Sequence, residues 1–177
     1  MKKTILGLLL VVLSSGSAYG SAINTNTWYN FFFDRGNGPL LSGDNSVSGS
    51  VAAPVPPWVF TLSSTHELFV TDLQLPIDQF EFFNNGASVG TTSAPNTAGQ
   101  QCALDISCAV NDASFSHGSF LLGPGNYSIT GYRTAVTTSL AAGYGAFILR
   151  PVPEPDTLAL LGLGLAGLGL SRRRKAD

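Results

Sequence analysis

Short apolar runs separated by polar turn residues fill the middle of this 177-residue chain. The runs are rich in Val, Ile, Thr, Phe, Tyr and Trp, and Gly, Pro, Asn and Ser separate them, which is the pattern of short β-strands. No run of ten or more residues there repeats its apolar positions every 3.6 residues, as an amphipathic helix would. The pattern predicts strands at Thr27–Phe33, Ser46–Val51, Trp58–Ser63, Glu67–Gln74, Gln79–Phe83, Ser88–Thr92, Ser119–Leu122, Tyr127–Arg133 and Ala142–Leu149.

The clearest local unit is a predicted hairpin around Asn85-Gly86. Both residues tolerate the positive φ angles of a type I′ turn, so this pair is a strong hairpin signal. On the strand before the turn, Phe80 and Phe82 share one face and Glu81 takes the other. The strand that holds Tyr127 and Ile129 alternates in the same way, and we expect these two side chains to point into the core.

Eight or nine short strands in about 130 residues favour two packed sheets over one open sheet. The predicted fold class is therefore all-β, with a jelly-roll-like two-sheet sandwich. The stretch from Ser93 to Ser114 has no strand pattern and is long for a loop inside a compact domain.

The N-terminus has the order of a secretory signal peptide. Lys2 and Lys3 are followed by an apolar run, Ile5–Leu13, and by the small-x-small sequence Ala18-Tyr19-Gly20. Nine residues span only about 14 Å as a helix, whereas the hydrocarbon core of a bilayer is about 30 Å thick. A cleaved signal peptide, residues 1–20, is favoured over an uncut membrane anchor.

The C-terminus combines three features in a fixed order. Pro153, Glu154 and Pro155 come first, the apolar run Thr157–Leu170 follows, and a basic cluster ends the chain at Arg172, Arg173, Arg174 and Lys175. The run predicts a short transmembrane helix of about 21 Å. The basic cluster should remain in the cytoplasm as a stop-transfer signal, which leaves the middle of the chain on the other side of the membrane.

In motif, order and spacing, this tail resembles the PEP-CTERM tail of exported proteins in Gram-negative bacteria that make exopolysaccharide. The resemblance implies that residues 151–177 hold the protein in the inner membrane until an exosortase, an integral-membrane enzyme, processes it. Pro153, Glu154 and Pro155 would be the recognition element. A similar segment ends some ice-binding proteins, but the chain shows no regular Thr array, so ice binding is not inferred.

The interior resembles a recurrent β-sandwich passenger of PEP-CTERM proteins. The similarity is carried by Pro56–Leu62, Leu68–Asp72, Asp78–Gly86 with Gly90–Ser93, and Ser116–Gly118 before Leu121–Ile129. It implies a jelly-roll or CUB-like fold for residues 21–150. It brings no assigned active site, so no catalytic residue is carried over.

Charge restricts the partners of this body. Between Ser21 and Arg150 the chain has eight acidic and three basic residues, the latter being Arg35, Arg133 and Arg150, although the whole chain has a net charge of −2. A mildly acidic body without lysine lacks the basic surface that nucleic-acid binding requires. No nucleic-acid partner is therefore expected.

Cys102 and Cys108 are the two cysteines of the chain. An even number of cysteines in an exported protein indicates a disulfide, which would staple the long stretch between Ser93 and Ser114. A zinc site with His66 and His117 is an alternative, although the spacing matches no common zinc pattern. Free thiols are the third possibility.

Candidate chemistry elsewhere in the body is sparse. The chain has no Gly-x-Ser-x-Gly elbow and only two histidines, so a secreted hydrolase using His117 is a minor alternative. Asp72, Asp78 and Glu81 suggest either a calcium site or turn-forming carboxylates with a solvent-facing Glu. Trp28, in the aromatic run Trp28–Phe33, suggests either a stacking platform for sugar rings or part of a strand covered on both faces.

The sequence therefore predicts a non-enzymatic, exported protein that needs no cofactor. It would be anchored in the inner membrane and then released to the cell surface or to an exopolysaccharide matrix, where its body would be structural or adhesive. An extracellular carbohydrate- or calcium-binding module is the first alternative, and the secreted hydrolase is the second.

Overall fold

A computed structural model describes residues 23–136, 141–153, 161 and 163. Within these ranges the chain forms a β-rich body with one short helix, which confirms the predicted strand content. The signal peptide, residues 1–20, lies outside the described residues. The strands are β1 (Trp28–Phe33), β2 (Gly38–Leu41), β3 (Val51–Ala52), β4 (Trp58–Leu62), β5 (His66–Asp72), β6 (Asp78–Asn84), β7 (Ala87–Thr91), β8 (His117–Leu122), β9 (Gly125–Val136) and β10 (Gly143–Pro151), and the helix is α1 (Ile106–Asn111).

The strands form two antiparallel groups that share β2. In the first group the order is β8-β5-β10-β1, and in the second it is β7-β6-β9. The short strand β2 pairs with β1 on one side and with β9 on the other. β4 lies beside β9, and β3 runs parallel to β1. This arrangement places β10 in the interior of its group, between β1 and β5.

Aromatic rings join the two groups in one core. Phe31 on β1 contacts Trp58 on β4 and Phe80 on β6, with ring centroids 5.8 Å and 5.2 Å apart. Trp58 also packs on Phe147 of β10 at 4.5 Å. Because full burial of such a side chain contributes about 1.5–3 kcal/mol, these rings supply a large share of the driving force for folding. The expected inward direction of Ile129 is confirmed, and Tyr127 packs on this core while only partly buried.

A second, smaller cluster covers the other face of β1 and β10. It contains Val47, Ile106, Ala109 and Ala146, and Trp28 packs against its edge. The stretch from Ser93 to Ser114, read from the sequence as a loop, therefore includes α1 and packs on the sheet. A helix of six residues is too short to show a helical period in the sequence.

The predicted hairpin is confirmed. Asn84 pairs with Ala87, so Asn85 and Gly86 form the two-residue loop between β6 and β7, with φ angles of 49° and 82°. These positive φ angles at both central positions are those of a type I′ turn. The hairpin therefore forms where the local turn chemistry places it.

One strand prediction is wrong, and the sequence pattern misses one strand. The predicted strand Ser46–Val51 is a series of turns and bends, and only Val51 and Ala52 pair as β3. The strand β2 was not predicted at all, because its sequence Gly-Pro-Leu-Leu lacks strand character. Tertiary contacts hold the loop before β3, as described below.

Leu161 and Leu163, the two described residues of the apolar C-terminal run, are helical and exposed. No helix among the described residues is long and apolar enough to cross a membrane.

Candidate functional site

A surface groove of about 720 Å³ lies beside the start of β1. One wall is the loop that precedes β3, and the opposite wall is the segment that contains α1. We call it the Trp28 groove. Its lining consists of Trp28, Ser46, Ser48, Gly49, Leu104, Asp105, Ile106, Ser107, Val110 and Asn111.

A buried amide holds the loop wall in place. The Asn30 side chain is fully buried, and its Nδ2 donates to the Asp44 carbonyl and to Ser50 Oγ, both at 2.9 Å. Asn30 Oδ1 accepts from the Asp44 backbone N–H at 3.1 Å. Tyr144 Oη donates to the Asp44 carboxylate at 2.7 Å and fixes the same loop from β10. A side chain on β1 thus shapes a loop that the sequence pattern alone assigned to a strand.

A disulfide and a helix cap hold the opposite wall. Cys102 and Cys108 are joined, with their Cα atoms 5.5 Å apart, so their sulfurs are not free to bind a metal. Asp105 caps α1 by accepting from the Cys108 backbone N–H at 3.1 Å. Ile106 and Ala109 anchor the helix in the smaller cluster. Both walls of the Trp28 groove are therefore fixed by contacts that do not involve a ligand.

The groove combines apolar surface with hydroxyl and amide groups. Trp28 is half-buried, and the edge-to-face contact with Phe69, with centroids 6.1 Å apart, restrains its ring. The other tryptophan, Trp58, is only 1% exposed and donates through Nε1 to the Pro54 carbonyl. The sequence left two interpretations of Trp28–Phe33 open, a stacking platform for sugar rings and a strand covered on both faces. The structure buries Tyr29, Phe31 and Phe33 but leaves Trp28 accessible at the groove.

Two of the three carboxylates suggested for calcium, Asp72 and Asp78, lie in a buried ion-pair cluster. Asp72 is fully buried and accepts backbone N–H groups from Leu73 at 2.8 Å and from Asp78 at 3.1 Å. Asp78 pairs with the buried Arg133 guanidinium. Glu81 lies apart from this cluster and accepts from Ser88 Oγ at 2.8 Å. Among the described residues, no three His, Cys, Asp or Glu side chains are grouped to hold a metal ion.

Burial controls the acidity of this cluster. Burial, with a smaller effect from the Asp78 charge, raises the pKa of Asp72 well above its ordinary value. Burial also raises the pKa of Asp78 to about 6, although the Arg133 charge opposes this change. No sequence signal marks Arg133 as buried, since arginine is almost never fully buried unless it is paired.

The two histidines lie in separate environments. His66 is buried, and its Nδ1 lies 2.9 Å from the Ser64 carbonyl. His117 Nε2 lies 2.9 Å from the Ala109 carbonyl, and its ring stacks on Phe69 with centroids 5.8 Å apart. Each ring is thus held by a backbone carbonyl rather than by a serine hydroxyl.

The sorting segment begins where the body ends. Pro151 is the last residue of β10, and the Val152 N–H donates to the Thr65 carbonyl at 3.0 Å. Pro153 is exposed. Glu154, Pro155 and the basic cluster Arg172, Arg173, Arg174 and Lys175 lie outside the described residues.

The tail matches a family model. The model describes the PEP-CTERM protein-sorting motif, and it matches residues 151–175. Residues 151–175 are a PEP-CTERM sorting motif. This motif implies export and membrane-anchored sorting before processing, with an exosortase as the partner that recognises it. No curated protein and no solved structure matches the chain at a significant level.

Proposed function

We propose that this protein is exported, sorted by an exosortase and delivered to the cell surface or to the exopolysaccharide matrix. There its body serves as a structural or adhesive β-sandwich of the jelly-roll type. The observation that carries the proposal is the PEP-CTERM motif at residues 151–175, which starts at the last residue of β10.

The physical properties of the tail suit this route. Proline cannot continue a helix and favours an extended backbone, so Pro153 and Pro155 keep the motif accessible beside the membrane. The four basic residues from Arg172 to Lys175 are costly to move through lipid and stall translocation. The signal peptide at residues 1–20 starts export and is removed.

The packing of the body favours a structural or adhesive role over hydrolysis. His66 and His117, the histidines that a hydrolase could use, contact backbone carbonyls. The aromatic core, the disulfide and the capped helix α1 give a compact body suited to an extracellular setting.

The substitution Glu154→Ala tests the sorting step. The proposal makes Glu154, between the two prolines, part of the element that the exosortase recognises, so we expect the variant to accumulate uncleaved in the inner membrane. Cell fractionation followed by intact-mass measurement distinguishes the retained form from the released form. The matched control is Asp156→Ala, which removes a neighbouring carboxylate outside the Pro-Glu-Pro triplet and should leave release unchanged. Normal surface release of the Glu154→Ala protein would contradict the proposal.

A carbohydrate-binding role is the second candidate. It is favoured by the position of Trp28, a half-buried aromatic ring that lines a groove together with hydroxyl and amide side chains. Binding to matrix glycans would also explain how an adhesive protein is retained after release.

A further inference from the structure

We infer that the Trp28 groove binds a segment of a neutral glycan chain. The inference rests on the proposed function, because delivery outside the cell brings the body to polymeric glycans. It adds the residues that form the binding site and the charge of the ligand.

The dimensions of the groove fit an organic ligand. Its volume of about 720 Å³ lies within the range of about 300–1,000 Å³ that small-molecule sites occupy. The groove opens to the surface between its two walls, so a segment of a longer chain can lie in it.

The floor and walls suit the two kinds of surface on a sugar ring. A pyranose presents an apolar face of C–H groups, which gains free energy when it covers an aromatic ring. The half-buried Trp28 indole, restrained by Phe69, supplies such a ring. The hydroxyls of Ser48 and Ser107 provide donors and acceptors for sugar hydroxyls, and so does the Asn111 amide, whose Nδ2 also donates to the Ser107 carbonyl at 2.8 Å.

The charge of the lining indicates a neutral ligand. Within the described chain, the groove contains one carboxylate, Asp105, and no basic side chain. The carboxylate of Asp44 lies on the adjoining loop, where it accepts from Tyr144. A uronic acid or a sulfated sugar would therefore meet negative charge without a counter-ion, which costs binding free energy.

The fixed walls reduce the entropic cost of binding. Asn30 and Tyr144 hold the loop wall, and the Cys102–Cys108 disulfide and the Asp105 cap hold the α1 wall. Because neither wall needs to be ordered by the ligand, more of the contact energy contributes to affinity.

The test is titration of the purified, processed protein with neutral and acidic oligosaccharides. The neutral probes are hexasaccharides built on glucose, xylose, mannose, galactose and N-acetylglucosamine, and the acidic probe is an oligouronate of the same length. We expect at least one neutral probe to bind in calorimetry, the oligouronate to bind at least about tenfold more weakly, and tryptophan fluorescence to change on binding. The fluorescence change reports Trp28, because Trp58 is buried in the core.

Two sets of variants locate the site. Ser107→Trp fills the groove from an exposed helix position, and we expect it to reduce affinity at least about tenfold. Val59→Trp, at an exposed position of β4 outside the groove lining, is the matched control and should bind normally. Trp28→Phe should keep binding in calorimetry while losing the fluorescence change, whereas Trp28→Ala should lose both.

Three results would overturn the inference. They are failure of every neutral probe to bind, full affinity in a folded Ser107→Trp protein, and equal or tighter binding of the oligouronate. If Ser107→Trp does not fold, the comparison of Trp28→Phe with Trp28→Ala decides in its place. Failure of these tests with normal surface release of the protein rejects the glycan site alone, whereas binding in vitro by a protein that is never exported rejects the proposed function alone.

Discussion

The buried ion pair between Arg133 and Asp78 places charged residues where the pattern of apolar and polar positions predicts none. Arg133 and Asp78 lie in the interior with Asp72 nearby, so their charged groups are surrounded by protein atoms and not by water. Burial of charge is costly, and partners recover only part of the cost. The raised pKa values of Asp72 and Asp78 express this balance, because both carboxyl groups release their protons less readily in the folded chain than in the unfolded chain.

The stability of the protein should therefore fall as pH rises through about 6. In the unfolded chain the pKa of an aspartate carboxyl group is near 3.8, whereas the pKa of Asp78 in the folded protein is about 6. The contribution is fully present below about pH 4 and is lost towards pH 7, with a change of up to about 3 kcal/mol. Urea unfolding between pH 4 and pH 8 measures it.

Two substitutions separate this effect from other titrations. Asp72→Asn keeps one acceptor oxygen but cannot ionise, so the decrease in stability between about pH 4 and pH 7 should become smaller. Asp112→Asn is the control: Asp112 is a partly exposed acid whose pKa is lowered by hydrogen bonds from Ser114, and its loss should leave that decrease unchanged. A wild-type free energy of unfolding that rises from pH 5 to pH 7 would show that burial does not dominate.

At the scale of elements, local chemistry predicts some segments and long-range contacts decide others. Asn85-Gly86 fixes its hairpin because the turn needs only these two residues. The sequence Ser46–Val51 alternates like a strand. The preceding segment is nevertheless held in a loop, because Asn30 donates a hydrogen bond to the carbonyl of Asp44, 14 positions further along the chain. The groove could not be predicted for the same reason, because its two walls come from segments that are distant in the sequence.

The pairing of β1 with β10 also depends on a glycine, which has no side chain. Gly145 lies opposite Phe31, and a Cβ atom at Gly145 would overlap the Phe31 ring. We expect Gly145→Ala to destabilise the protein by about 1–3 kcal/mol, because the ring must leave its packed position. The matched control is Gly123→Ala, since a Cβ there meets nothing within 4 Å. The urea midpoint measures both, and an unchanged midpoint for Gly145→Ala would show that the core can accommodate the methyl group.

In the molecule as a whole, β10 lies between β1 and β5 and pairs with both, although these strands are far from it in the sequence. It pairs with β1 along six residues and with β5 along seven, and Phe147 and Leu149 bring it into the aromatic core. The sequence predicted this strand and its apolar character, but its position between β1 and β5 depends on topology. The predicted division at residue 150 falls one residue before the end of β10.

Truncation tests this dependence. A chain that ends after Val152 keeps β10 and its bond to Thr65, so we expect a cooperative unfolding transition. A chain that ends after Ala142 lacks β10 and exposes the paired edges of β1 and β5, so it should be unfolded. Circular dichroism and proteolysis compare the two. A protease-resistant fold in the shorter chain would show that β10 is dispensable.

The junction at Pro151 also has a consequence for the order of events in export. In the proposed export route, β10, which lies between β1 and β5, is the part of the body that emerges last, just ahead of the rest of the sorting motif. β1 and β5 therefore remain on the far side of the membrane with their inner edges unpaired until β10 follows. The body can complete its fold only when translocation has reached the membrane-held tail.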